Sequence, residues 1–218
     1  MRFQFVTKSL RYLYTFVVTL FARDEDTLIH KIPLHTWQRM AWRRTYNNTR
    51  YILDYAQHDV AQAIGRIKNK HDTKILDIFT TLISDILLEE LSELQTFQGF
   101  AHPVITHIPS HRDSLARRGY NPSALIAESV SKKTAIPYKS NYLTLKHTTK
   151  SQKTLSRSDR QKNIAHSMSV PEDLRHKVNG SCIIVIDDVV TTGATLAEAR
   201  RALTKAGARK IVTIAIAH

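Results

Sequence analysis

The chain is poor in cysteine, poor in acidic residues, and lacks an apolar run long enough to cross a membrane. Cys182 is the single cysteine in 218 residues, which excludes an internal disulfide and a four-cysteine zinc site and suits a reducing, cytoplasmic setting. Histidines do not supply the missing ligands. His102, His107 and His111 straddle a predicted strand and its loop without a helix-spaced partner or a thiolate, so no protein-held metal is expected there. The apolar stretch Leu10 to Phe21 follows Arg2, Lys8 and Arg11 but is too short to span a bilayer. The Arg23-Asp24-Glu25-Asp26 cluster after it is unlike a small-residue cleavage site. A docked amphipathic helix is expected instead. No internal repeat or low-complexity tract interrupts the chain.

The acidic shortage is uneven. Against 32 Lys and Arg stand 19 Asp and Glu, a formal charge of +13. Residues 1–100 carry 13 basic and 11 acidic side chains, and residues 101–218 carry 19 and 8, so +11 lies in the second half. An excess of this size favours anionic partners, either phosphorylated ligands or nucleic acid.

Length suits one domain with an appended subdomain, divided here into residues 1–50, a helical hood segment, and 51–218. Thr36 to Tyr46 predicts a short helix carrying Trp37 and Trp42. A strand near Arg50 to Tyr55 precedes helical periodicity in Val60 to Ile67 and a longer helix from Lys74 to about Leu94. Strands are expected near Pro103 to Ile108, Asn141 to Leu145, Ile183 to Ile186 and Ile211 to Ala217, with a helix over Pro122 to Lys133. Alternation of this kind predicts an α/β fold around a parallel sheet.

The densest chemistry lies in Cys182 to Thr195, CIIVIDDVVTTGAT. An apolar, β-branched run with no polar face is what a strand covered on both sides of a parallel sheet requires. Asp187 and Asp188 fall at its carboxyl end, the edge where open α/β sheets bind ligands. Val189 and Val190 lead into Thr191, Thr192, Gly193, Ala194 and Thr195: three hydroxyls, one residue free to take positive φ, and no bulk to keep a phosphate from the backbone. LAEARRALTKAGA then predicts a helix closed near Gly207, its N-terminus facing an anion. Two carboxylates beside a phosphate cradle suit a vicinal diol, with Mg2+ on the ligand's oxygens offsetting the crowded charge.

This order of strand, acid pair, small-residue loop and helix resembles the signature of the type I phosphoribosyltransferases for 5-phosphoribosyl-1-pyrophosphate. Further segments narrow the resemblance to the ComF (competence protein F) family. They are Ile67-Lys68-Asn69-Lys70-His71-Asp72, then HIPSHRDSLARRGYN from His107 to Asn121, then the spaced Gln152, Leu155, Arg160 and Asn163. The match covers about residues 50 to 218. It lacks the cysteine-rich zinc knuckle with which members commonly begin.

The resemblance implies a type I phosphoribosyltransferase fold with a small helical hood. It assigns Asp187 and Asp188 to the ribose, Val189 to Thr195 to the 5-phosphate, and Ser110, His111 and Arg112 to the diphosphate, with Mg2+ held mainly through the ligand. Arg117 and Arg118 could contact ligand or form a solvated face. Gln152, Lys153 and Arg160 lie in a basic segment that fits a mobile loop closing over substrate or a bland linker. Two functions stay open. One is a phosphoribosyltransferase, a glycosyltransferase-class enzyme. The other is a DNA-uptake accessory that binds single-stranded DNA or a competence helicase and keeps the pocket as a sensor or relic. Relatives acting on hypoxanthine or guanine carry an acidic residue before the Thr-Gly pair and a lysine after the glycine. Thr191 and Ala194 stand there in this chain, so purine salvage is not expected.

Overall fold

The computed structural model describes residues 28–146 and 166–218. Helix α1 (Leu34–Met40) is followed by strands β1 (Arg44–Tyr46) and β2 (Thr49–Leu53), then helices α2 (His58–Lys70) and α3 (Thr73–Gln98). Strand β3 (Val104–His107) leads to α4 (Arg112–Arg118) and α5 (Pro122–Thr134). Two short strands, β4 (Thr144–Leu145) and β5 (Met168–Ser169), and a helical turn α6 (Arg175–Val178) precede β6 (Cys182–Val189), α7 (Ala194–Lys205) and β7 (Lys210–Ala217).

Five strands form the main sheet in the order β1-β2-β7-β6-β3. β2, β7, β6 and β3 run parallel, and β1 joins antiparallel through a hairpin. The hairpin turn is Asn47-Asn48, both at positive φ, the backbone that two-residue hairpins need and that asparagine tolerates. β2 passes through residue 50, so the sheet includes residues on both sides of the 50/51 division.

Strand β6 shows why its sequence has no polar face. Cys182, Ile184 and Ile186 pack on one side of the sheet with Ile126, Ala127 and Val130 of α5 and the apolar faces of α2 and α3. Ile183 and Val185 pack on the other with Leu196, Ala199 and Leu203 of α7. Each such side chain contributes roughly 1.5–3 kcal/mol on burial, and the two-residue period distributes that gain between two cores. Helix α3 is bounded by Asp72, whose carboxylate accepts from Ile75 N–H at 3.2 Å, and by Gly99 in the left-handed region.

Several expectations need correction. The strand expected over Asn141 to Leu145 is not in the main sheet: β4 holds two residues and pairs antiparallel with β5 in a separate ribbon. The place beside β3 is taken by Pro137–Lys139, bonded to both sides of Ile105. The helix expected over Thr36 to Tyr46 stops at Met40; Ala41 is extended and Trp42 N–H donates to Ile52. Trp37 is fully buried against Phe79, whereas Trp42 is 62% exposed. The carboxylates also lie within β6, which continues to Val189, not beyond it.

Candidate functional site

Parallel register fixes the site's location. His107 of β3 lies opposite Ile186 of β6, and Ile108 N–H donates to Ile186 O at 3.1 Å. Chain leaving β3 therefore emerges at the edge where Asp187 and Asp188 stand.

The two carboxylates differ. Asp187 is buried, and its Oδ1 accepts from Ser123 Oγ at 2.9 Å and from Asp188 N–H at 2.9 Å. Burial first, and the neighbouring Asp188 charge second, push its pKa up to about 7 against the pull of Ser123, the Asp188 N–H and Lys68. Asp188 is less enclosed. Its Oδ1 accepts from Val189 N–H at 2.7 Å, and its Oδ2 lies 3.2 Å from Lys68 Nζ.

The loop after them is anchored on three sides. Val190 is buried; its N–H donates to Ala217 O, and its carbonyl meets His218 Nδ1 at 3.0 Å. Asn47 Nδ2, at the hairpin tip, donates to Thr192 O at 2.9 Å. Gly193 takes φ 77 with Asn47 packed over it, so that a Cβ there would meet Asn47 Cβ at 3.1 Å. Thr191 is exposed. Helix α7 begins at Ala194 with no acidic residue in its first turn; the Ala194 N–H is turned to Thr192 Oγ1 at 3.4 Å, and the N–H groups after it and the positive dipole end face an anion. The structure thus brings Asp187, Asp188 and Val189 to Thr195 together in one braced element.

Ser110, His111 and Arg112 emerge at the same edge. Ser110 is half-buried, His111 and Arg112 are exposed, and Arg112 is the first residue of the seven-residue α4 rather than a loop residue. The order in this stretch comes from its far end. Asn121 Nδ2 donates to Ile108 O at 2.8 Å while its Oδ1 caps α5 through Ser123 N–H. Tyr120 reaches across to the end of α2, donating to Ile67 O and accepting from His71 N–H. Gln152, Lys153 and Arg160 lie outside the described residues. Where the chain returns, Glu198, 5% exposed, accepts from Met168 N–H and is gripped by Arg201.

Three residues at the site carried no assigned role in the sequence. Ser123 is the second residue of the helix that Asn121 caps, and no motif marks it. Asn47 belongs to an Asn-Asn pair between two threonine- and tyrosine-bearing strands, a hairpin signal. Lys68 was visible only as part of a family-like stretch. His107 is buried, contacts Tyr138 Oη through Nδ1 at 2.8 Å, and has its pKa lowered to about 4 by desolvation. Among the described residues no three His, Cys, Asp or Glu side chains converge on a metal-sized site, and no helix is long and apolar enough to cross a membrane.

The family model for the phosphoribosyl transferase domain matches residues 114–218. The chain is similar to the DNA utilization protein YhgH of Escherichia coli K12, at 27% identity over 176 residues, covering 80% of this chain and 70% of that protein. It is also similar to Competence protein F of Haemophilus influenzae, at 31% identity over 107 residues, 49% of this chain and 46% of that one. Among solved structures, L. donovani hypoxanthine-guanine phosphoribosyl transferase superposes with a TM-score of 0.39 at 11% identity, covering 64% of this chain and 67% of that one.

Proposed function

This chain belongs to the ComF family of phosphoribosyltransferase-like proteins with a type I phosphoribosyltransferase fold, and we propose that it binds 5-phosphoribosyl-1-pyrophosphate at the β6–α7 edge and transfers the phosphoribosyl group to an acceptor. The observation that carries this reading is the joining of an acid pair and a braced, glycine-containing loop at one helix N-terminus.

In the proposed reaction Asp188, and Asp187 beneath it, accept hydrogen bonds from the ribose hydroxyls. The backbone N–H groups and hydroxyls of Thr191 to Thr195 take the 5-phosphate. Ser110, His111 and Arg112 receive the diphosphate. A nucleophilic lone pair on the acceptor forms a bond to carbon 1 as the bond to the diphosphate oxygen breaks, the electron pair leaves with the diphosphate, and the acceptor's proton passes to solvent. Positioning and electrostatic stabilisation of the cationic ribosyl centre and the leaving anion supply most of the rate. Mg2+ fits this site as an ion arriving on the ligand's oxygens, because the donors are two adjacent carboxylates, one buried and hydrogen-bonded; Asp188 is the group that would share it. Bound there, it would offset charge on the diphosphate. Thr191 cannot serve as a general base near neutral pH, a role typically worth about 10² to 10⁴ in rate, so hypoxanthine and guanine are not the proposed acceptors. A pyrophosphate-release assay with Mg2+ across nucleobases and amines tests turnover. Release with one acceptor class, lost in Asp188→Asn, supports transfer; release with none leaves a binding protein.

A second reading has its own observation. Away from the acid pair, a cleft of about 330 Å3 between β5 and the second half of α7 is lined by Lys146, His166, Arg175, Arg201 and Lys205, with Glu172 among them. Such a surface suits a DNA-uptake accessory holding single-stranded DNA through phosphates. Binding should then fall steeply with salt and little with sequence, and Lys205→Glu should weaken it. Flat salt dependence removes this reading.

A further inference from the structure

We propose that Lys68 is a ligand-contacting residue, directed at the diphosphate, and that Tyr120 positions it; this rests on the phosphoribosyl pyrophosphate reading above. Lys68 Nζ lies 3.2 Å from Asp188 Oδ2, and the two side chains are 27% and 16% exposed. The pair is therefore sheltered at the mouth of the site, unlike an exposed surface pair that solvent screens. A hydroxyl hydrogen-bonded to that same oxygen lies within about 6 Å of the ammonium, whatever its direction of approach. With the ribose 2-hydroxyl taken as the one that Asp188 engages, the neighbouring carbon 1 bears the diphosphate. Once a ribose hydroxyl engages Asp188, the diphosphate oxygens are the strongest anionic acceptors within the ammonium's reach.

Lys68 is held in place by the end of the His107 to Asn121 segment. It stands in the last turn of α2, whose chain leaves through His71 in the left-handed region at φ 49. Tyr120 Oη donates to Ile67 O at 2.7 Å and accepts from His71 N–H at 2.9 Å, gripping the turn on both sides of Lys68. Its ring also lies 4.9 Å from the His71 ring. The next residue, Asn121, holds Ile108 O, the start of the segment that carries Ser110 to Arg112. One Tyr-Asn pair thereby ties the lysine's helix to the proposed diphosphate segment.

The test is calorimetric titration with Mg2+ present, using phosphoribosyl pyrophosphate and ribose 5-phosphate as probes. The proteins are wild type, Lys68→Met, Lys68→Arg, Tyr120→Phe and Tyr120→Phe/Lys68→Met. Lys68→Met should weaken phosphoribosyl pyrophosphate about ten- to a hundred-fold, the range of a charge-assisted contact, and ribose 5-phosphate by less than about three-fold. Lys68→Arg should recover most of the loss. Tyr120→Phe should weaken the diphosphate ligand in the wild-type background and add nothing in Lys68→Met, which a merely structural tyrosine would not do. Unchanged affinity in Lys68→Met, or equal losses for both probes, overturns the lysine assignment while the function reading stands. Equal Tyr120→Phe losses in both backgrounds overturn the positioning role. Failure of the wild type to bind phosphoribosyl pyrophosphate overturns the function reading and this inference together.

Discussion

The two segments that meet at the sheet edge are built in opposite ways. The β6–α7 loop is braced by neighbours distant in sequence: Ser123 on Asp187, Asn47 on Thr192, and Ala217 and His218 on Val190. The segment after β3 leaves His111 and Arg112 exposed and takes its order from Tyr120 and Asn121 beyond them. The difference separates two tasks. A loop meant to hold a phosphate and a diol gains from being formed before the ligand arrives, whereas side chains meant for a leaving group can stay solvated until it is there.

That contrast predicts unlike responses to substitution. Gly193→Ala should be the most damaging, since it puts a side chain at φ 77 and against Asn47; a loss of about 1–3 kcal/mol in denaturant unfolding is expected. Arg112→Ala should leave stability within about 0.5 kcal/mol, as exposed positions do, while weakening phosphoribosyl pyrophosphate. If both variants lost stability equally, the distinction between braced and open segments would fail.

Asp187→Asn sharpens the comparison from within the braced loop, and its effect depends on pH. The folded pKa, near 7, lies above that of an unfolded carboxylate. Between about pH 4 and 7 the folded protein therefore keeps a proton that the unfolded chain has released, and this residue's contribution to stability falls as pH rises through the window. Asparagine can still accept from Ser123 and the Asp188 N–H without the charge. The variant should lose that slope and exceed wild type in melting temperature at pH 8 while binding ligand worse. A variant less stable than wild type at pH 8 would show that the buried charge is not a net cost.

Much of this edge was legible because the chemistry is contiguous in sequence. Strand, acid pair, loop and helix occupy Cys182 to Lys205 without interruption, and burial on both sheet faces makes the strand unambiguous. The brace was not legible, since Asn47 and Ser123 reach the site only through the hairpin and α5, contacts of long sequence separation. The misread strand over Asn141 to Leu145 has the same origin. Tyr142 and Leu143 are apolar and buried, as a sheet strand would demand, but pack against the α7-side core while Pro137–Lys139 occupies the edge beside β3. The exposed Trp42 shows the converse: the helix expected to carry it ends at Met40, and a chain turned extended at Ala41 leaves it outside.

The most direct test of the central claim is thermal or chemical unfolding of wild type and Asp187→Asn/Asp188→Asn with and without phosphoribosyl pyrophosphate and Mg2+. Ligand at about 100 times its dissociation constant should add about 2.7 kcal/mol to the wild type and little to the double variant. No shift in the wild type at millimolar ligand, or an equal shift in both proteins, would contradict the assignment of this edge as the phosphoribosyl site.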